Sequence, residues 1–506
     1  RKHAQRTIVH LCKGGHEAAI REAAAMYGEA AIAEVDALFA PEPLPSRAPH
    51  LPEWIDLAKL PMPLTKDGEP VGGEPRERLV QLLSLLPLDA AKGAVDHVRS
   101  ACDAESLATL GLALAEAWVA AGAETKHKWA LLAAGALGDD IAARKLADWT
   151  VEWAKAGVHP RSRAALDALS LVGTDVALMH TDRIARTMKG ALHTNATATL
   201  DAIAKARNLS QEELGDRLVP SLGLDPNGST WLDFGKRRFR VSFDEALVPE
   251  LWGETGERLA RLPRATKDDD AAKAARAIAT FKGLQSDAKK IAPDQVRRLE
   301  RAMCIERSWS ASELRTFFLD HPLMVHLARR LVWVTDQGVT FRIIEDRTFA
   351  GEDDRERTLP ADARVRIAHP LSIAASVAAW STTFTDYLIV QPFPQLGRET
   401  FTIAENERDG PVLKRFEGRA VAGSRFFTLK SRGWGFYDYA ISKLLRGNFI
   451  AILESEPGLE FLTSKPEDQK LGPLTLRRES GSAARFGDLD AIDASELIRD
   501  VELLVK

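Results

Sequence analysis

The sequence predicts a mostly α-helical chain with a C-terminal α+β part: a HEAT-like α-solenoid followed by a mixed α/β domain. Three observations carry this. Apolar residues recur at helical spacing through residues 76–220, a helix-turn-helix pattern repeats there at an offset of 35 residues, and beyond residue 331 short β-type runs alternate with helical ones.

With 506 residues the chain is too long for one core, and its apolar content suffices for several. The 68 basic and 72 acidic residues leave a net charge of −4, so no global field attracts nucleic acid or an anionic membrane. Such binding would need a local patch. Cys12, Cys102 and Cys304 are far apart, which excludes a disulfide framework or a cysteine-rich zinc site and fits a cytoplasmic protein. No run reaches the roughly 18 apolar residues of a membrane span. The start, Arg1-Lys2-His3, has neither an initiator Met nor a signal-peptide core, so the chain is expected to be the C-terminal part of a longer protein.

Residues 1–40 read as packed helices, Ala-rich with Ile20, Met26, Ile32 and Val35 among charges. Residues 41–75 hold nine prolines and read as an extended linker with one short helix at Trp54 to Leu60. Residues 76–220 are the expected solenoid, where Leu107, Leu110, Leu114 and Trp118 share a helix face. In the repeat, Leu131 matches Leu166, Leu137 matches Val172, Gly138-Asp139-Asp140 matches Gly173-Thr174-Asp175, and Trp149 and Trp153 match Ile184 and Met188. A degraded third copy starts at a capping box, Ser210 with Glu213.

Residues 221–506 form the expected second domain. A β insertion spans 224–243, with a turn at Asp225-Pro226-Asn227-Gly228 and strands around Trp231 and Phe239. Helices fill 268–330, ending in His321 to Arg330. An α/β part occupies 331–506: a hairpin from Leu331–Val334 and Val339–Ile344, a strand at Ala363 to Ala368, a helix at Leu371 to Phe384, an apolar strand or buried extended piece at Tyr387 to Val390, strands at Phe449 to Leu453 and Leu474 to Leu476, and a closing helix at Ser495 to Leu504.

Ordered motifs from about Ser210 onward carry a family resemblance. Leu232-Asp233-Phe234-Gly235 with Arg238-Phe239, Arg298-Leu299-Glu300-Arg301-Ala302-Met303, His321-Pro322-Leu323 with Leu331-Val332-Trp333, and Gln391-Pro392-Phe393-Pro394-Gln395-Leu396-Gly397-Arg398 resemble the C-terminal domain of bacterial molybdate-metabolism-regulator-like proteins. Arg432-Gly433-Trp434 and Ser495 to Asp500 extend the likeness. The resemblance implies helical repeats ahead of a domain without settled activity, and a link to transcription in the regulator label. Several members of that family also carry a WGR domain, which this sequence lacks.

Chemical motifs are sparse. His321 and His326 are five apart, so they do not share a face as zinc-binding His-Glu-x-x-His pairs do, and a cap and a packed histidine are expected instead. Gly14-Gly15 and Gly72-Gly73 lack a P-loop ending, there is no nucleophile elbow, and Cys304 falls in an amphipathic helix where a thiol is inert. Asp268-Asp269-Asp270 and Glu352-Asp353-Asp354 read as a helix N-terminus and a solvated loop. Asp148, Trp149 and Trp153 invite comparison with the groove of helical-repeat DNA glycosylases, but the tryptophans lie on the apolar stripe and read as core.

Two basic clusters are candidate anion or nucleic-acid sites: Lys236, Arg237, Arg238 and Arg240 beside Trp231 and Phe239, and Arg425, Lys430 and Arg432 near Trp434. Arg398 follows a segment that Pro392 and Pro394 hold extended, as a packing loop or a pre-positioned carboxylate binder. The expected function is a non-catalytic scaffold or regulatory protein that binds a protein partner, or a nucleic acid, through the solenoid and the C-terminal domain. No membrane partner, metal or cofactor is expected. The alternative is an enzyme with His369, Asp386, Tyr387 and Arg398 at the junction of the two parts.

Overall fold

The computed structural model describes residues 17–39, 44–206, 208, 211–430, 432–437, 439–459 and 467–506. The chain divides into two compact units, Arg1–Pro220 and Ser221–Lys506. Ser210, Cys12 and Gly14-Gly15 lie outside the described residues. Among the described residues no helix is long and apolar enough to cross a membrane.

The first unit is helical. Its best-packed part comprises α1 (Ala104–Ala120), α2 (Trp129–Ala136), α3 (Asp140–Lys155), α4 (His159–Val172) and α5 (Asp175–Thr187). Successive helices pack on each other, and α2 also packs on α4 and α3 on α5. Residues that match at the offset of 35 play the same parts. Asp139 caps α3 by accepting from the Ile141 and Ala142 N–H groups, and Thr174 caps α5 by accepting from that of Ala177. Leu131 and Leu166, Leu137 and Val172, and Trp149 and Ile184 are all buried. Trp149 stacks on Trp153, which meets Trp118 edge to face; Trp118 and Trp149 are core, and half-buried Trp153 packs between them at its margin.

The Pro-rich stretch is pinned to this unit rather than being a bare spacer. Trp54 stacks on Trp129 and donates Nε1–H to His127 Nδ1 at 3.1 Å, the Leu64 N–H donates to Ser106 Oγ, and buried Arg76 donates to the Leu60 carbonyl. The helix expected at Trp54 to Leu60 is a series of turns, because those aromatic and backbone contacts hold it open. A helix instead starts at Gly73, with Pro75 in its first turn, where no N–H is needed.

Among the described residues the second unit holds three antiparallel sheets, so the expected α+β part is present, with no parallel βαβ units in it. The first has the order β1 (Thr230–Asp233), β2 (Arg238–Phe243), β3 (Pro249–Trp252), β4 (Arg258–Leu259). The β insertion therefore runs past 243; its last two strands are too short for their alternation to stand out in the sequence. Leu232, Phe239, Val241 and Leu251 form its buried side. Helix α6 (Ala271–Cys304) follows, capped by Asp270, whose side chain accepts from the Lys273 N–H.

The expected helical run to 330 is interrupted by β5 (Ser308–Ser310). With β6 (Trp333–Thr335), β7 (Thr340–Ile343), β8 (Phe349–Ala350), β9 (Glu356–Arg357) and β10 (Arg364–Ile367) it builds a sheet of order β5-β10-β6-β7-β8-β9. In the stretch leading to β6 the helix shrinks to Met324–Ala328, and His321 Nδ1 accepts from the Leu323 and Met324 N–H groups ahead of it. Leu323, Leu327, Leu331 and Trp333 are core.

The expected helix at Leu371 to Phe384 splits into a 3-10 turn, Pro370–Ile373, and a helix, Val377–Asp386. The apolar strand or buried extended piece expected at Tyr387 to Val390 is overturned: Leu388 and Val390 are 85% and 72% exposed, and Leu388 has a φ of +54°, a turn after the helix end. The third sheet runs β11 (Val412–Leu413), β16 (Gln469–Arg478), β15 (Phe449–Glu456), β14 (Ala440–Leu445), β13 (Trp434–Tyr437), with β12 (Ala420–Val421) also on β16. The closing helix, α7 (Ala491–Val505), begins after the cap Asp490, and its Leu497, Ile498, Val501 and Leu504 share a core with Leu453, Leu474 and Leu476 of the sheet.

Glycine sets the closest approach in the first unit. A Cβ at Gly135 on α2 would overlap the Ala168 carbonyl on α4, whereas one at Gly93, on an exposed helix face, meets nothing. Gly135→Ala is therefore expected to destabilise the protein by about 1–3 kcal/mol and Gly93→Ala to stabilise it by about 0.5–1 kcal/mol. Thermal and urea unfolding of the two variants checks this.

Candidate functional site

Two polar assemblies in the second unit gather most of the candidate residues. The first is buried. Asp493, Glu496 and Asp500 sit three and four residues apart, on one face of α7, and all three are buried. Buried carboxylates need cationic partners, and each has one. Arg446 reaches Asp493 through Nε at 2.9 Å, Asp490 through Nη2 at 2.7 Å, and Glu306 through Nη1. Asp500 accepts from Trp434 Nε1 at 2.9 Å and Lys443 Nζ at 2.8 Å, with Arg432 Nη1 at 3.4 Å.

Glu496 is the centre. Arg398 grips it bidentately, Nε to Oε1 at 2.7 Å and Nη2 to Oε2 at 2.6 Å, and extends Nη1 to Glu300 at 2.8 Å. The ring nitrogen His369 Nδ1 accepts from the Leu371 N–H, so the His369 proton sits on Nε2 and is donated to Glu496 at 3.2 Å. Cys304 Sγ contacts both Glu496 and Arg398. Burial alone would raise the Glu496 carboxyl, but the Arg398 guanidinium and then His369 outweigh it and hold it well below the usual range. Burial and the Glu496 charge push the Cys304 thiol far up, against the pull of Arg398, so it does not ionise near neutrality.

The Gln391 to Arg398 segment delivers this arginine. Gln395 is fully buried and closes the gap between the strand ends: its Nε2 donates to the Val332 and Ala368 carbonyls at 2.8 Å each, and its Oε1 accepts from the Val332 N–H. Gln391 holds Gln395 and the Leu396 N–H in turn. The segment is thus a packing loop, and Arg398 is a carboxylate binder whose carboxylate is internal.

The second assembly lies on the open side of the first sheet. The strand register sets Trp231, Arg240, Trp252 and Arg258 in one row across β1, β2, β3 and β4. The Arg240 guanidinium lies over the Trp252 ring at 5.6 Å, and that of Arg238 over Trp231 at 5.2 Å. Trp252 Nε1 donates to Ser242 Oγ, which fixes its indole, while Trp231 is 46% exposed. The other cations are matched: Arg237 with Asp269 at 2.6 Å, Arg238 with Glu254 at 3.0 Å, Arg258 with Glu250 at 2.6 Å and Lys273 with Asp233 at 2.9 Å. Lys236 is exposed at the turn.

The remaining candidates disperse. Arg425 donates to the Leu504 carbonyl at the end of α7, Arg432 reaches Asp500, and Lys430 is exposed. Of the alternative enzyme set, His369 and Arg398 meet through Glu496. Tyr387 instead donates to Asp354 at 3.1 Å beneath the Arg342 guanidinium, and Asp386 is exposed. Among the described residues no group of three or more His, Cys, Asp or Glu side chains is arranged to hold a metal ion. Sequence reading missed Glu496 and Asp500 as partners and Trp252 and Arg258 as members of the row. The three- and four-residue spacing of acids on an otherwise apolar helix was the available signal for the first pair.

Known proteins bear on this unit without supplying an activity. A family described as "Domain of unknown function (DUF4132)" matches residues 256–434, which take in α6, the second sheet and Arg398. The chain is 32% identical over 471 residues to an Escherichia coli (strain K12) protein described as "Uncharacterized protein YehI". That likeness covers 90% of this chain and 38% of the relative, so the chain spans well under half of the relative's length. No solved structure matches.

Removing Arg398 leaves Glu496 buried without its main partner. Arg398→Met is expected to cost about 3–5 kcal/mol, and Arg398→Met with Glu496→Leu to recover part of it, read by urea unfolding. Because the folded Glu496 carboxyl is depressed, its contribution is present above the unfolded value of about 4.3 and is lost as pH falls below it. The stability gap between the parent and Glu496→Gln should therefore narrow as the pH is lowered from 6 to about 3.

Proposed function

We propose that the chain is a non-catalytic scaffold or regulatory protein that binds a protein partner across the open face of its first sheet. The carrying observation is the Trp231–Arg240–Trp252 row. Tryptophan and arginine dominate the energetics of protein interfaces, and here they stand pre-ordered by cross-strand pairing and cation–π contact. A nucleic-acid partner fits less well. Affinity for a phosphate backbone grows with the number of cations free to neutralise it, and Arg237, Arg238 and Arg258 are already paired with carboxylates.

Within this reading the first unit is a HEAT-like solenoid serving as a second contact arm. Its support is the offset of 35, the equivalent caps Asp139 and Thr174, and the packing of alternate helices. The regulatory part rests on the resemblance to molybdate-metabolism-regulator-like proteins. Catalysis by His369 and Arg398 is disfavoured because both are engaged by Glu496 inside the core.

A photo-reactive phenylalanine analogue at position 231 should form a discrete protein adduct in host cells, and Trp231→Ala should weaken the purified pair at least about tenfold, ~1.4 kcal/mol, with unchanged melting temperature. Adducts only with nucleic acid, or an affinity insensitive to Trp231, would sink the proposal.

A further inference from the structure

The open face is not a uniform basic patch, and its one distinctive charge is central. Arg240 occupies the middle of the row, on the second of four strands, with Trp231 on one side and Trp252 on the other. Among the described residues no carboxylate lies within ion-pair distance of it, in contrast to Arg237, Arg238 and Arg258 around it. Asp225, whose carboxyl is lowered chiefly by the Ser229 N–H, senses Arg240 at longer range. The guanidinium lies 5.6 Å from the Trp252 ring centroid, and a π face takes up none of its N–H donors as a carboxylate would.

We infer that this face recognises an extended acidic segment of a partner polypeptide, with one carboxylate received by Arg240 and apolar neighbours lying on Trp231 and Trp252. The inference rests on the partner-binding reading above and names the chemistry of the partner. Charge complementarity selects the occupant. A single unpaired arginine between two indoles matches one carboxylate flanked by apolar groups, and the bidentate geometry suits a carboxylate fork. A nucleic acid presents a phosphate at every step, and the neighbouring Glu250, Glu254 and Asp233 disfavour a run of anions of either kind, so the face suits a segment with one acidic group at its centre. An extended segment fits because its alternate side chains share one face at intervals of about 6.7 Å, so residues two to either side of a central carboxylate reach out over Trp231 and Trp252, which flank Arg240 on the neighbouring strands.

The test uses the full chain and carrier-fused peptides with glutamate, glutamine or lysine at the centre and leucine two residues to either side, separated by serine so that the three side chains share one face of an extended segment, beside a thymidine oligonucleotide, read by calorimetry and tryptophan fluorescence. The glutamate peptide should bind, and both its glutamine counterpart and Arg240→Gln should weaken binding about tenfold or more. Arg240→Glu should abolish it and confer binding of the lysine peptide, a charge reversal that a merely structural role for Arg240 does not produce. Melting curves of each variant confirm the fold.

Equal binding of the glutamate and glutamine peptides, with sensitivity to Trp231→Ala, overturns the carboxylate assignment and leaves the binding face standing. Binding of no peptide, with no effect of Trp231→Ala on the photo-captured partner, overturns both. Arg240-dependent binding of the oligonucleotide alone replaces the acidic peptide with a phosphate ligand and overturns the inference.

Discussion

The bidentate pair between Arg398 and Glu496 is the constraint on which the second unit depends. It joins the loop after the second sheet to the last helix of the chain, across 98 residues of sequence, and it also takes in Glu300 of α6, His369 and Cys304. Arg446 and Lys443 repeat the device on either side, tying the third sheet to Asp493 and Asp500 of the same helix. A helix whose polar face is buried must find a cation for every carboxylate, and that requirement permits few placements. Apolar packing of Leu497, Ile498 and Val501 supplies the burial; the ion pairs specify register.

That economy bears on function. Arginines that look like ligand binders in the sequence mostly hold the chain's own groups: Arg398 holds Glu496, Arg432 holds Asp500, Arg425 holds the end of α7 and Arg237 holds Asp269. A guanidinium paired with a buried carboxylate has its charge matched within the chain and little left to attract an anionic partner. Arg240 differs because its neighbours are indoles, which orient a cation without neutralising it. The distinction between a strut and a recognition residue lies in what stands beside the arginine.

Much of the helical unit was legible. The offset of 35 marked equivalent caps, since Asp139 and Thr174 act through hydrogen bonds two or three residues away. The hairpin of β6 and β7 followed from two apolar runs around a Gly-containing turn. Short strands such as β3, β4, β8 and β9 were not legible, because two to four residues carry too little alternation. Tyr387 to Val390 misled for a different reason: four apolar residues read as buried, yet the preceding helix ends there and turns Tyr387, Leu388 and Val390 outward, leaving Ile389 against the core.

Local rules therefore settle the helices, their caps and the class of each part, because those depend on neighbours a few residues apart. Tertiary structure decides which charges meet. Glu496 and Arg398, Asp500 and Lys443, and the row from Trp231 to Arg258 all unite residues distant in sequence, and no periodicity relates them. Ion pairs and cross-strand rows are set by how sheets and helices are laid against each other, so the site could be named by residue type beforehand but assembled only in space.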